Sequence, residues 1–336
     1  NKDILWIASL TKYKPHPLAL PTWRKTKSIT EIPMRIHKSD ELIPEEIVNR
    51  TIHVDESPLC VDVVHRSNGG SALIFSWHHL LMDGYGVVLL LRQLAQDAAA
   101  PLHHVLEDES KDRLQLFQLA NATRAKFFVD RISKKPLSSI APAKPSNTPH
   151  QKVKTISFTG EETRRLEEIG PLLGAPFGGS PVYLASAARG VASILKARNI
   201  PVHDFWIPVP RDQRKKGSPG PLLGNHLSFL FYRLKAQDLT NLKSTVRSIN
   251  QQMVDQIKSK MSRDFDILMK YLRRTPTPLY YFWITGPHGR SLASFLFTAA
   301  ADHPDDFTTF AGHPIKDAWS FPPGIHSPGL SFAFMR

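Results

Sequence analysis

Between Ser71 and Ala98 the period of the chain changes in one step. Ser71–Trp77 (SALIFSW) is a short apolar run rich in strand formers, whereas from Gly84 onward Val87, Leu90, Leu91, Leu94 and Ala98 fall on one helix face. The turn between them reads HHLLMDG, residues 78–84. It brings together a titratable base, a fixed spacing and a structural transition at the end of a buried strand, where clefts open in sheet-containing enzymes. The glycines at its end, Gly84 and Gly86, let backbone or ligand approach closely.

The spacing by itself proves little, because a histidine four residues before an aspartate recurs at His104/Asp108 and at His313/Asp317. Context separates the first instance from the other two. If His78 and His79 continue the strand, their rings point to opposite faces, so one of the pair must do any work. The plain alternative is two hydrogen-bonded core histidines, with Asp83 as the N-cap of the following helix.

Strand-then-helix alternation continues along the chain and predicts an α/β architecture. Further strands are expected over 59–64, 153–158, 205–209 and 227–234, and a last one over 329–334. Helices are expected over 111–132, 161–169 and 181–197, the last with Pro181 in its first turn, and over 239–261. In that final helix Leu239, Leu242, Val246, Ile249, Met253 and Ile257 keep steps of three and four, a core stripe. Residues 133–152 are rich in Pro, Ser, Ala and Lys and read as a connecting segment. The expected division is a first lobe, 1–135, carrying the histidine pair, a linker, 136–151, and a second lobe, 152–336. The aromatic stretches 279–284 (LYYFWI) and 294–297 (SFLF) suit a core better than a lipid channel. The chain begins without Met, inside a pattern, and its last strand stops just after it starts, so it reads as a fragment of a longer protein.

A chain of 336 residues can bury a core in each of two lobes. Its one cysteine, Cys60, rules out an intrachain disulfide and a four-cysteine metal site, and fits a reducing, cytoplasmic compartment. Cys60 lies in an expected strand among apolar neighbours, where thiols are inert. There is no Gly-x-Ser-x-Gly elbow, no Gly-rich phosphate loop and no His-Glu-x-x-His, so no metal ligand set is expected. No apolar run approaches a membrane span and no signal-peptide layout opens the chain. Forty-three Lys and Arg against thirty Asp and Glu give a net charge of +13, which favours anionic partners. Nucleic acid is not among them, since zinc-finger spacing and basic clusters with interleaved aromatics are both missing. Arg211, Arg214, Lys215 and Lys216 form the densest basic cluster, read as a solvated loop rather than a phosphate clamp.

HHLLMDG after a buried strand resembles the HHxxxDG signature of the coenzyme-A-dependent acyltransferase superfamily. That group includes chloramphenicol acetyltransferase-like enzymes, condensation domains of peptide synthetases, and wax ester synthase/diacylglycerol acyltransferases. Pro58-Leu59-Cys60 ahead of the strand, Ile207-Pro208-Val209-Pro210-Arg211, and Leu223-Gly224-Asn225-His226-Leu227 agree in order and distance. Two departures separate the chain from the wax ester synthase type: no Asn-Asp pair opens the helix at Ser180-Pro181-Val182, and Cys60 stands where that type has Trp.

The resemblance implies a two-lobed chloramphenicol acetyltransferase-like fold, mixed sheets flanked by helices, with the active site at the lobe interface. It implies acyl transfer from a thioester to a small-molecule alcohol or amine, with coenzyme A as substrate and no permanently bound cofactor. His79 is expected as general base, a role histidine fills with an ordinary pKa of about 6.5 and which contributes roughly 10²–10⁴-fold in rate. Asp83 is expected to turn from substrate and pair with an arginine, for which Arg211 is the candidate. His78 is expected to pack behind the site, Asn225 to hold the strand end or touch substrate, and the Gly84 N–H is a candidate oxyanion donor. The positive charge suits acyl-CoA, a phosphopantetheine carrier protein, or peripheral contact with an acidic membrane surface. Three readings stay open: transfer from free acyl-CoA, a condensation-like domain using carrier-bound acyl groups, and a non-catalytic relative that keeps the fold for binding.

Overall fold

The computed structural model describes residues 1–14, 16, 19–20, 22–25, 31–53, 56–106, 116–141, 151–215, 217, 219–285, 293–299, 307–322 and 328–335. In the first half, α1 (Lys2–Ala8) leads into a hairpin of β1 (Leu10–Tyr13) and β2 (Thr22–Lys25). The Asn1 side chain caps α1 by accepting from the amides of Asp3 and Ile4, and Ile4, Ile7 and Ala8 are its buried face. A mixed sheet follows, in which β4 (Leu59–His65) pairs parallel with β3 (Met34–Lys38) and antiparallel with β5 (Ser71–Trp77). A short helix, α2 (Glu45–Val48), connects β3 to β4. From β5 the chain turns into α3 (Gly84–Gln96), whose Val87, Leu89, Leu90 and Leu94 pack with Leu59, Leu81 and Ile7. Both elements of the strand–turn–helix read from sequence are present, β5 with the expected bounds.

The second half is built on α6 (Ser180–Ala197) and α7 (Leu242–Lys258), which cover the antiparallel pair β6 (Phe205–Asp212) and β7 (Leu227–Leu234). The small residues Ala185, Ala187, Ala188 and Ala192 let α6 sit close on this core, where Phe205, Ile207 and Leu234 have no exposed surface. β8 (Leu296–Ala299) pairs parallel with β11 (Ser331–Phe334), and Phe295 and Phe297 are sealed in the same core. The SFLF stretch is therefore core. A third cluster joins α4 (Leu119–Ile132) to α8 (Met261–Arg273) and to Trp206 and Phe231, so a helix that precedes the connecting segment packs on strands that follow it. α9 (Thr277–Thr285) carries LYYFWI, with Tyr280 and Ile284 against the third cluster but Leu279 and Trp283 exposed. A two-residue hairpin, β9 (Thr309–Phe310) and β10 (His313–Pro314), precedes β11.

Three expectations need correction. No strand forms over 153–158, where Val153, Ile156 and Phe158 are exposed: residues with strand propensity need an edge to bond to, and none of the described strands pairs with them. The segment ends instead at α5 (Gly160–Leu173), opened by a Thr159/Glu162 capping box. The helix expected over 239–261 is divided: Leu239 lies in a 3₁₀ turn, Asn241 caps α7 through the Ser244 amide, and α8 starts anew after Lys260 at a φ of +60°. The helix expected over 111–132 is α4 with a 3₁₀ turn before it, and 111–115 lie outside the described residues, as do 142–150 of the connecting segment. Among the described residues no helix is long and apolar enough to cross a membrane.

Candidate active site

The two halves are joined at the histidine turn. The segment from Pro221 to His226, which leads into β7, inserts Leu222 and Leu223 into the core of the first half. Met82 forms an isolated parallel bridge with Gly224: the Gly224 N–H donates to the Leu81 carbonyl (2.8 Å) and the Asp83 N–H to the Gly224 carbonyl (3.2 Å). Contact is close enough that a Cβ at Gly86 would stand 2.3 Å from the Leu222 carbonyl oxygen, so only glycine fits in the first turn of α3. On the far side, Phe310 of β9 meets Phe75 of β5 edge-on at 5.9 Å, a second bridge between the halves.

Asp83 is the hub of this joint. It has no exposed surface, yet every bond around it is supplied. Oδ1 accepts from the Gly86 N–H (2.8 Å), the N-cap bond of α3, while Oδ2 accepts from the His226 N–H (2.8 Å) and from Arg214 Nη1 (3.1 Å). Arg214 is itself buried; it also donates to Asp212 Oδ1 (3.1 Å) and, through Nε, to the Pro221 carbonyl (2.9 Å), and lies over the Tyr85 ring at 5.6 Å. The arginine partner of Asp83 is therefore Arg214. Arg211, the residue expected there, instead pairs with Asp266 of α8, its Nη2 donating to both carboxylate oxygens at 2.8 and 2.9 Å. The basic cluster is likewise no open phosphate clamp, since two of its arginines are committed to carboxylates; Lys216 lies outside the described residues.

β5 ends at Trp77, so both histidines lie in the turn and the opposite-faces argument for a strand does not apply to them. The turn is strutted from within. The His78 N–H donates to the Pro58 carbonyl (2.8 Å), the Leu81 N–H to the His78 carbonyl (2.8 Å), and Trp77 Nε1 to the Met82 carbonyl (3.0 Å). His78 Nδ1 accepts from the Leu80 N–H at 3.2 Å, which leaves Nε2 as its protonated nitrogen when the ring is neutral. Burial, the Lys12 ammonium and the neighbouring His79 hold the His78 pKa below the ordinary histidine value. His78 is thus a neutral brace, half-buried behind the turn.

His79 is different: it is exposed, and its ring has no hydrogen-bond partner among the described residues. Its backbone is held from the other half, because Asn225 Nδ2 donates to the His79 carbonyl (2.8 Å). Arg273 of α8 in turn bonds the Asn225 carbonyl. Asn225 therefore acts on the turn across the joint. Gly84 is the first residue of α3, where amides lack intrahelical acceptors. Beside the turn a cavity of about 160 Å³ is lined by Lys12, Thr22, Trp23 and Leu80. Among the described residues no three His, Cys, Asp or Glu side chains converge to hold a metal. The other spacings come to less: His313 and Asp317 are both exposed, and Asp108 lies outside the described residues.

The fold matches solved structures. The epimerization domain from the third module of tyrocidine synthetase B superposes with a TM-score of 0.58 at 12% identity, over 98% of this chain and 77% of that one. The fold is that of the condensation domains. The first condensation domain of the calcium-dependent antibiotic synthetase, in complex with a substrate analogue, gives 0.57 at 16% identity, over 89% of this chain and 69% of that one. The X-domain from teicoplanin biosynthesis gives 0.55 at 13% identity, over 89% and 69%. No protein-family model and no curated protein sequence matches the chain. The condensation-domain fold is thus shared at identities that carry architecture alone.

The close backbone approach expected at the glycines after the aspartate is found at Gly86, but sequence reasoning missed Arg214 and the backbone of His226 as parts of the joint. Arg214 was in view as part of the basic cluster, three residues from Arg211, but nothing local distinguishes the two. It also missed the β1–β2 hairpin, which carries Lys12 to the turn.

Proposed function

We propose that the chain transfers an acyl group from a carrier-protein-bound thioester to an amine or hydroxyl acceptor, with His79 as general base. The observation that carries this reading is the division of labour at the turn. Asp83 is used up in buried structural bonds, His78 is braced and neutral, and of the three the His79 ring alone is exposed with no hydrogen-bond partner among the described residues. A base must reach the proton it takes, and an exposed imidazole next to a cavity can do so. The carrier-bound donor is favoured over free coenzyme A because the basic cluster does not form a phosphate clamp and because the fold is shared with condensation domains.

In this reading the acceptor N–H or O–H donates to His79 as its heteroatom attacks the thioester carbonyl. The C–S bond then breaks, the acyl group stays on the acceptor, and the imidazolium returns the proton to the departing thiolate. Charge on the carbonyl oxygen in between is stabilised by N–H donors, for which the Gly84 amide is the nearest in the chain. Asn225 positions the turn rather than touching the reacting atoms.

The test is thiol release from acyl-loaded carrier protein and from free acyl-CoA, with mixed amine and alcohol acceptors, for the wild type and His79→Ala. The expected result is acceptor-dependent release from the carrier that falls by roughly 10²–10⁴-fold in the variant. Undiminished release in His79→Ala, or no release from any donor by folded protein, overturns the reading. Faster turnover of free acyl-CoA moves the donor assignment to coenzyme A.

A further inference from the structure

The geometry points to a carboxylate subsite beside the histidine turn, with Lys12 as its cation, that selects acceptors bearing a free acid group close to their nucleophile. It rests on the acyl-transfer reading above.

The β1–β2 register sets Lys12 directly opposite Trp23, and residues facing one another across a ladder project to the same side. Both line the cavity of about 160 Å³ that Leu80, the neighbour of His79, closes from the turn, with Thr22 adding a hydroxyl. Two other cations of this hairpin are engaged, Arg24 lying 3.8 Å over the Tyr13 ring and Lys14 Nζ donating to Thr277 Oγ1 at 3.2 Å, while Lys25, at the far end of β2 opposite Leu10, does not line the cavity. Lys12 has neither a carboxylate nor a hydrogen-bond partner among the described residues, although its charge is near enough to His78 to disfavour protonation there. An unpaired ammonium, a hydroxyl and two apolar walls recognise a small oxyanion on a short apolar stem.

The phosphate of a pantetheine arm is a poor occupant. The arm's whole length separates it from the thioester, and the thioester carbonyl has to reach His79. An amino-acid-like or hydroxy-acid-like acceptor is a good one, because its carboxylate lies only a few bonds from the nucleophile. Lys12 would then act on acceptor binding, as a specificity residue and not as a proton carrier.

The experiment measures His79-dependent turnover with matched acceptors, each acid against its own primary carboxamide, in the wild type, Lys12→Gln and Lys12→Arg. The wild type is expected to prefer the acid by about tenfold or more in kcat/KM, mainly through KM. Lys12→Gln is expected to collapse that ratio to about one, and Lys12→Arg to keep most of it. Turnover of the amides with no acid preference in the wild type, or a preference that survives in Lys12→Gln, overturns the subsite while leaving acyl transfer intact. Failure of acids and amides alike overturns the acyl-transfer reading, and the subsite with it.

Discussion

Two aspartates of this protein, Asp62 and Asp83, are wholly removed from solvent and each is met by an arginine, yet they hold different things in different ways. Asp83 ties together segments far apart in the chain: Arg214 is 131 residues away, and its side chain is as buried as the carboxylate. Asp62, on β4, is held from nearby, by a bidentate Arg50 and by His37 Nε2 on β3 at 2.8 Å. The second cluster also opens outward, since His37 Nδ1 lies 2.6 Å from Glu46 Oε1 at the surface. The first is a sealed joint between halves; the second is a clasp between β4, β3 and the segment after α2 within one half, open through His37 and Glu46 to the pH of the medium. A buried charge can therefore serve as a permanent fastener or as a titratable one, depending on whether a histidine stands between it and solvent.

Removing the charge of each aspartate should expose this difference. Asp83→Asn leaves Arg214 buried with only the partly exposed Asp212 to oppose it, and is expected to cost about 3–5 kcal/mol of stability, measured by urea denaturation. Because the same joint holds the His79 carbonyl through Asn225, any turnover should fall with it. Asp62→Asn should cost less, about 1–3 kcal/mol, as Arg50 is partly exposed and His37 keeps Glu46. Equal losses in the two variants would erase the distinction drawn here.

The smallest effect is the one that depends on pH. Both nitrogens of His37 face carboxylates, so both bonds require the doubly protonated ring. The Asp62 bond, resisted by desolvation and aided by Glu46, raises the His37 pKa. Burial pushes the Asp62 carboxyl up, but the bonds from Arg50 and His37 outweigh it and hold it below the ordinary carboxylate range. For a group raised on folding, the stabilisation is complete below the unfolded pKa of about 6.5 and is lost as pH rises through the folded value. The denaturation midpoint should accordingly decline as pH rises above about 6.5, and His37→Gln should flatten that decline. A wild-type slope unchanged in the variant would place the titration elsewhere.

Much of the fold was legible from period alone. SALIFSW became β5 and residues 227–234 became β7 because β4 and β6 offer each an edge, and Pro181 opened α6 because a first-turn residue needs no N–H. The failures have one cause. Residues 153–158 carry a strand pattern, but a strand exists only where a second chain segment offers its edge. The stripe through Leu239 and Ile257 was correct as a period, yet Ile257 is exposed, because the Asn241 cap and the restart at Met261 set where the helix meets the core. At the site, the motif residues were found, while Arg211 was expected in place of Arg214 because it ends the Pro-x-Pro-Arg stretch; on β6 its side chain meets Asp266, and the loop after β6 brings Arg214 to Asp83.

What the sequence determined by itself is the strand–turn–helix at HHLLMDG, its aspartate cap, and a chain long enough for two cores. These follow from local hydrogen bonding and from side-chain period, which near neighbours settle. The tertiary structure decided which arginine closes on Asp83, that Asn225 steadies the His79 turn from the opposite half, and that Lys12 comes to line a cavity beside it. Those contacts join segments that only long-range packing brings together, and a side chain's reach of a few ångströms makes the course of the intervening loop, not its composition, the deciding quantity.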